Sequence, residues 1–87
     1  MTVYLLFNKD TAAERKMADF EAKLIEARVR VELVDADTPK GIAVAADYDL
    51  MARPAIALTT ADGSLLDTWT EEDRFPSVQE LSYRDRM

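Results

Sequence analysis

The spacing of apolar residues changes character several times along this chain. Thr2-Val3-Tyr4-Leu5-Leu6-Phe7 is β-branched, aromatic and almost continuously apolar, the pattern of a strand covered on both faces. Asn8-Lys9-Asp10 ends that run, and Thr11-Ala12-Ala13-Glu14 follows. This has the form of a capping box, with a hydroxyl on one orphan amide and a carboxylate reaching back from three residues on. Beyond it Met17, Phe20, Leu24 and Ile25 recur at helical spacing. Glu14, Arg15, Lys16, Asp19, Glu21, Lys23 and Glu26 fall mostly on the opposite face, so a helix is predicted over residues 11–27.

Val29-Arg30-Val31-Glu32-Leu33-Val34 alternates and then turns fully apolar, which predicts a second strand. Asp35-Ala36-Asp37 leads to Thr38 as N-cap and Pro39 at the first position of a short helix over residues 39–47. Arg53-Pro54 closes the connection, because the residue before a proline is driven to extended geometry. Ala55-Ile56-Ala57-Leu58-Thr59 is the third strand. The Asp62-Gly63 turn signal returns the chain through Leu65 to Trp69 as its hairpin partner. A last helix is expected from Ser77 to Tyr83, seated by Phe75 and Pro76, with Val78, Leu81 and Tyr83 facing inward. The order βαβαββα makes the first two strands parallel through a right-handed crossover and the last two antiparallel. An α/β domain results: a four-stranded mixed sheet flanked by three helices, with residues 1–87 forming one unit.

Composition removes more chemistry than it adds. The chain has 0 Cys and 0 His, so disulfides, thiol redox work, thiolate or imidazole metal sites and His-dependent triads are excluded. Lys and Arg total 11 against 17 Asp and Glu, a formal net charge of −6. With no basic cluster longer than Arg15-Lys16, neither a nucleic-acid partner nor an anionic membrane surface is expected. The N-terminus shows no basic segment followed by a long apolar one, so a cytoplasmic setting is expected, or host cytoplasm if the protein is viral. Asp35, Asp37, Asp47 and Asp49 lack the spacing of a calcium loop and read as a solvated loop and helix end, so no metal or cofactor is expected.

One local string carries a resemblance. Tyr48-Asp49-Leu50-Met51-Ala52-Arg53-Pro54-Ala55-Ile56-Ala57-Leu58, together with the element order, resembles the thioredoxin-like fold. In that superfamily, which includes the glutaredoxins, an apolar strand follows a cis-proline whose neighbours wall the binding groove. The resemblance therefore implies a cis bond before Pro54. The departure is as informative. Thioredoxins and glutaredoxins place Cys-x-x-Cys, or one Cys, before the first helix, where this chain reads Asp10-Thr11-Ala12-Ala13-Glu14-Arg15. Dithiol oxidoreductase activity is thus excluded for the chain alone. Arg53 before the proline is similar to the arsenate-reductase branch of the fold, and only the idea of anion contact carries over.

These readings lead to an expectation and its rivals. The leading one is a redox-inactive, non-enzymatic module that binds a protein or extended peptide in the groove beside Pro54. The peptide would pair there as a strand added to a free edge, with Asp10, Thr11, Arg53 and Ala55 around it. A second is a cysteine-free binder or enzyme in which Thr11 and Arg53 hold an anion such as a glutathione carboxylate. A third is a purely structural subunit or viral accessory component, marked by an exposed apolar patch on the last helix or the edge strand. Asp10, Thr11 and Glu14 also read as a simple helix cap, and Arg53 as a surface cation paired with Asp10 or Asp49. Trp69 reads as a half-buried packing residue, Met17 as core and Met51 as a residue of the groove rim.

Overall fold

The apolar N-terminal run becomes β1 (Thr2–Phe7), the strand against which the other elements assemble. The computed structural model describes residues 1–86. After β1 come α1 (Ala12–Glu26), β2 (Val31–Asp35), α2 (Pro39–Asp47), β3 (Ala55–Thr59), β4 (Leu65–Trp69), a 3₁₀ turn (Glu72–Arg74) and α3 (Val78–Asp85). The strands form one mixed sheet in the order β2-β1-β3-β4. β1 runs parallel to β2 and antiparallel to β3, and β3 is antiparallel to β4. Among the described residues no helix is long and apolar enough to cross a membrane.

Alternation along β1 sends successive side chains to opposite faces. Val3, Leu5 and Phe7 join Ile56, Leu58, Met17, Leu24 and Leu81 in a core beneath α1 and α3. Leu6 joins Val34, Ala36, Val44, Leu50, Ala55 and Ala57 beneath α2. Both faces of β1 and β3 are covered, which is why their sequences are apolar without interruption. Two residues expected inward lie outside: Ile25 is 59% and Tyr83 67% exposed. Each falls at the margin of its helical stripe, and α1 packs chiefly on the sheet and α3, so its outer flank stays in water. The second strand starts two residues later than its pattern suggests, because Val29 is used to end α1 rather than to pair.

α1 and α2 end by the same device, and neither uses glycine. After α1 the Val29 amide donates to the Leu24 carbonyl at 2.9 Å and the Arg28 amide to Ile25 at 2.9 Å, with Arg28 at φ 64°. After α2 the Leu50 amide donates to Ala45 at 2.9 Å, with Asp49 at φ 55°. These are Schellman closures, and their hydrophobic partners Val29 and Leu50 are buried. At the start of α2 the Thr38 hydroxyl accepts from the Gly41 amide at 3.1 Å, as the Thr-Pro string predicts. The first turn of α2 then lies directly on the end of β2. A Cβ on Gly41 would stand 2.7 Å from the Ala36 Cα and nearer still to the Asp35 carbonyl oxygen.

The far end of α2 is fastened to the β3–β4 hairpin. The Tyr48 hydroxyl donates to the Gly63 carbonyl at 2.9 Å, and its ring lies 5.9 Å from that of Tyr4. The hairpin itself is set by Gly63 at φ 94° and by the Asp62 carboxylate, which accepts from the Thr60 hydroxyl and from the Ser64 amide. Partial burial, with Tyr4 and Asp47 adding to it, holds the Tyr48 phenol above its ordinary value.

Gly41→Ala should destabilise the fold by about 1–3 kcal/mol, because the methyl meets backbone that cannot yield locally; a calorimetric Tm lowered by less than a degree would contradict the close approach. Arg28→Gly should stabilise by about 1 kcal/mol, and Asp49→Gly by less since Asp tolerates φ > 0 better, each read by urea unfolding. Tyr48→Phe should cost about 1 kcal/mol at neutral pH. The Tyr48 contribution is full below the unfolded phenol value of about 10 and is lost as pH rises through the higher folded value. The variant should therefore lose less stability than the parent between neutral pH and strongly alkaline solution.

Candidate functional site

Strand register brings the sequence-predicted site residues to one end of the sheet. Leu6 of β1 stands opposite Ala55 of β3, so the carboxyl end of β1 and the amino end of β3 are neighbours. The loop carrying Asp10 and Thr11 and the loop carrying Arg53 and Pro54 therefore leave the sheet side by side. Phe7 lies opposite Asp35, and Ile56 opposite Trp69, which adds the loop after β2 and the segment after β4 to the same end. Asp10, Thr11 and Arg53 are exposed, whereas Pro54 and Ala55 are buried. The Arg53–Pro54 peptide bond is cis.

At the start of α1 the polar groups are arranged differently from a capping box. Thr11 is the N-cap residue, but its hydroxyl makes no cap bond; it donates to the Asn8 carbonyl at 2.6 Å. The Glu14 carboxylate reaches past Thr11 and accepts from the Asp10 amide at 2.8 Å. Asp10 has φ 62°, and this left-handed turn rotates its amide toward Glu14 in place of the Thr11 amide. The positive end of the α1 dipole is consequently faced by the chain's own carboxylate. The Thr11 hydroxyl proton is also already committed.

Arg53 is not the paired surface cation that its acidic surroundings suggest. Among the described residues it forms no ion pair with Asp10 or Asp49. Its Nη1 instead donates to the Leu50 carbonyl at 2.6 Å and the Ala52 carbonyl at 3.0 Å. The guanidinium thus folds back over its own loop and satisfies carbonyls at the turn out of α2. Such a bond to a charged donor contributes about 1.5–3 kcal/mol when sheltered and less at an exposed site like this one. The remaining guanidinium nitrogens have no hydrogen-bond partner among the described residues. No hydrogen bond joins Arg53 to Asp10 or Thr11, so the two loops are adjacent without being locked together.

A second correction concerns the strand edge. β3 is interior, with β1 on one side and β4 on the other, so Pro54 does not adjoin a free edge. What is open is the backbone just before β3. The flanking pairs are Leu6 with Ala55 and Ile56 with Trp69, and residues 52–54 lie beyond both. The free edges of the sheet belong to β2 and β4.

Asp35 and Asp37, read as solvated loop carboxylates, behave accordingly: Asp35 Oδ1 accepts from the Asp37 amide at 3.0 Å. Met51 is 86% exposed beside the loop of Arg53, and Trp69 is half-buried against the core. A feature not anticipated is a cleft of about 400 Å³ between α1 and the segment entering α3, lined by Lys16, Phe20, Lys23, Phe75 and Val78 and spanned by a 2.7 Å Lys16–Glu72 ion pair. Its residues are individually legible as helix face and helix seat. Their convergence depends on how α3 returns to α1, which no local pattern encodes.

No family model matches the chain, and no curated protein matches it. Among solved structures it is similar to a malarial protein, with 21% identity and a TM-score of 0.67 over 98% of this chain and 92% of that one. It is likewise similar to thioredoxin 1 from the thermophilic eubacterium Thermosipho africanus, with 10% identity and a TM-score of 0.68 over 99% of this chain and 91% of that one. At such identities the likeness speaks for the architecture alone, and with the four-stranded mixed sheet, its three helices and the absence of cysteine it gives the conclusion: the chain has a thioredoxin-like fold that lacks the Cys-x-x-Cys motif.

Proposed function

We propose that this chain is a redox-inactive, thioredoxin-like module that binds a protein partner through an extended segment at the sheet end around Pro54. The observation that carries the reading is the open backbone of residues 52–54, which lies outside the pairing of both neighbouring strands beside the loop of Asp10 and Thr11. An extended peptide laid there finds main-chain donors and acceptors, with Arg53 and Asp10 as polar contacts. Without a cysteine thiol no disulfide exchange competes with simple binding.

The anion-binding alternative has less support. Glu14 already places a carboxylate at the α1 N-terminus, and the Thr11 hydroxyl donates to Asn8. An incoming anion would be repelled by the one and unaided by the other.

The test is selection of peptides from a random library against the isolated chain, followed by backbone amide NMR mapping. The expected result is a set of shifts at Asp10, Thr11, Ala52, Arg53 and Ala55, with Arg53→Ala weakening the selected peptide by about fivefold, the worth of roughly one hydrogen bond. Shifts confined to other elements, or an unchanged affinity in the variant, would remove this site. A Tm raised by several degrees with glutathione, phosphate, arsenate or sulfate would favour the anion reading instead.

A further inference from the structure

Of the two free edges of the sheet, β2 and β4, the outer edge of β4 carries side chains that specify what would fit there. β4 is paired only with β3, so one row of its main-chain groups has no strand beside it. Leu65 and Leu66 lie consecutively on it, 46% and 49% exposed. The other large exposed apolar residues, Ile25, Ile42, Met51 and Tyr83, stand singly on different elements. A register shift explains the pair. Leu58 is opposite Asp67 but Thr59 is opposite Leu65, so Leu66 is an extra residue bulged out of the ladder.

Charge then discriminates between occupants. From Thr60 to Asp73 the chain carries Asp62, Asp67, Glu71, Glu72 and Asp73 and no basic residue; Arg74 follows and pairs with Glu71 at 3.1 Å, and Lys16 pairs with Glu72 at 2.7 Å. Asp67 is the middle residue of β4; its Oδ1 accepts from the Thr68 amide at 2.8 Å and its Oδ2 from Arg84 Nη1 at 2.9 Å. Two copies of β4 joined antiparallel about their midpoint would set Asp67 against Asp67, and like charges directly opposite destabilise a strand pair. The net charge of −6 adds to that repulsion. A strand bearing cations meets the opposite situation: Asp73 has no ion-pair partner among the described residues, Asp67 and Glu71 can share their carboxylates with Arg84 and Arg74, and the strand's apolar residues rest on the two leucines.

We infer that the open edge of β4 receives an extended protein segment with alternating basic and apolar residues, which adds a fifth strand to the sheet. This surface is separate from the Pro54 site and does not rest on it.

The probe is a fluorescent acetyl-Lys-Val-Lys-Val-Lys-Val amide, titrated with the full chain by fluorescence anisotropy at low salt. A control peptide of the same sequence and charge is methylated at every backbone nitrogen and cannot donate to a strand. Expected are saturable binding, amide NMR shifts centred on residues 64–70, and at least about a tenfold loss with the methylated peptide, which forfeits several hydrogen bonds. The double variant L66T/D67K, at exposed positions and checked for an unchanged far-UV spectrum, should also bind about tenfold more weakly. R53A should bind the probe as the parent does, which separates this edge from the Pro54 site. Equal binding of the methylated peptide would reduce the interaction to net charge and overturn the inference. So would shifts elsewhere, an indifferent double variant, absence of binding, or sedimentation of the free chain as a dimer.

Discussion

β1 and β3 are buried on both faces, and the rest of the molecule follows from that. Val3, Leu5, Leu6, Ala55, Ile56, Ala57 and Leu58 have no solvent exposure at all, each large side chain among them contributing about 1.5–3 kcal/mol relative to exposure. A two-stranded centre of this kind cannot face water on either side. One face needs α1 and α3, and the other needs α2. The chain supplies them with few residues to spare. Face by face the coverage differs: large residues meet α1, whereas Ala55 and Ala57 present small ones to α2. The small residues let a nine-residue helix sit close, and Gly41 removes the last obstacle where α2 crosses the end of β2.

The same register that fills the core gathers the polar loops at one end. Parallel pairing of β1 with β2 and antiparallel pairing with β3 put the exits of β1 and β2 beside the entrance to β3. The polar groups there are largely turned inward on the chain itself: Glu14 to the Asp10 amide, Thr11 to Asn8, Arg53 to Leu50 and Ala52. That arrangement keeps exposed loops ordered in a domain too small to bury them. It also leaves main chain rather than charge as the main offering at the Pro54 end, while the acidic, apolar edge of β4 offers both.

How far the sequence could be read depended on the range of the interaction concerned. Strand and helix spans followed from local periodicity, and the Thr38-Pro39 start of α2 followed from one hydroxyl and one missing amide. The ends of α1 and α2 fell within one residue of the expected 27 and 47, but the closures that make them were not legible, since Arg28 and Asp49 occupy left-handed positions that glycine would have announced. Ile25 and Tyr83 were misplaced because a helical stripe names a face but not its width, and the width depends on what packs against it. Arg53 fell on the expected loop, yet its partners are carbonyls of that loop. Carbonyls are present at every residue, so no side-chain pattern points to them.

What the sequence determined by itself was the inventory: which segments are strand or helix, that the first strand needs cover on both sides, and that no thiol chemistry is available. Each of these rests on composition or on contacts a few residues apart. The tertiary structure decided that β3 is interior and β4 an edge, and that Leu66 bulges from it. Those depend on register between segments distant in the chain, where a shift of one residue would turn every side chain to the other face.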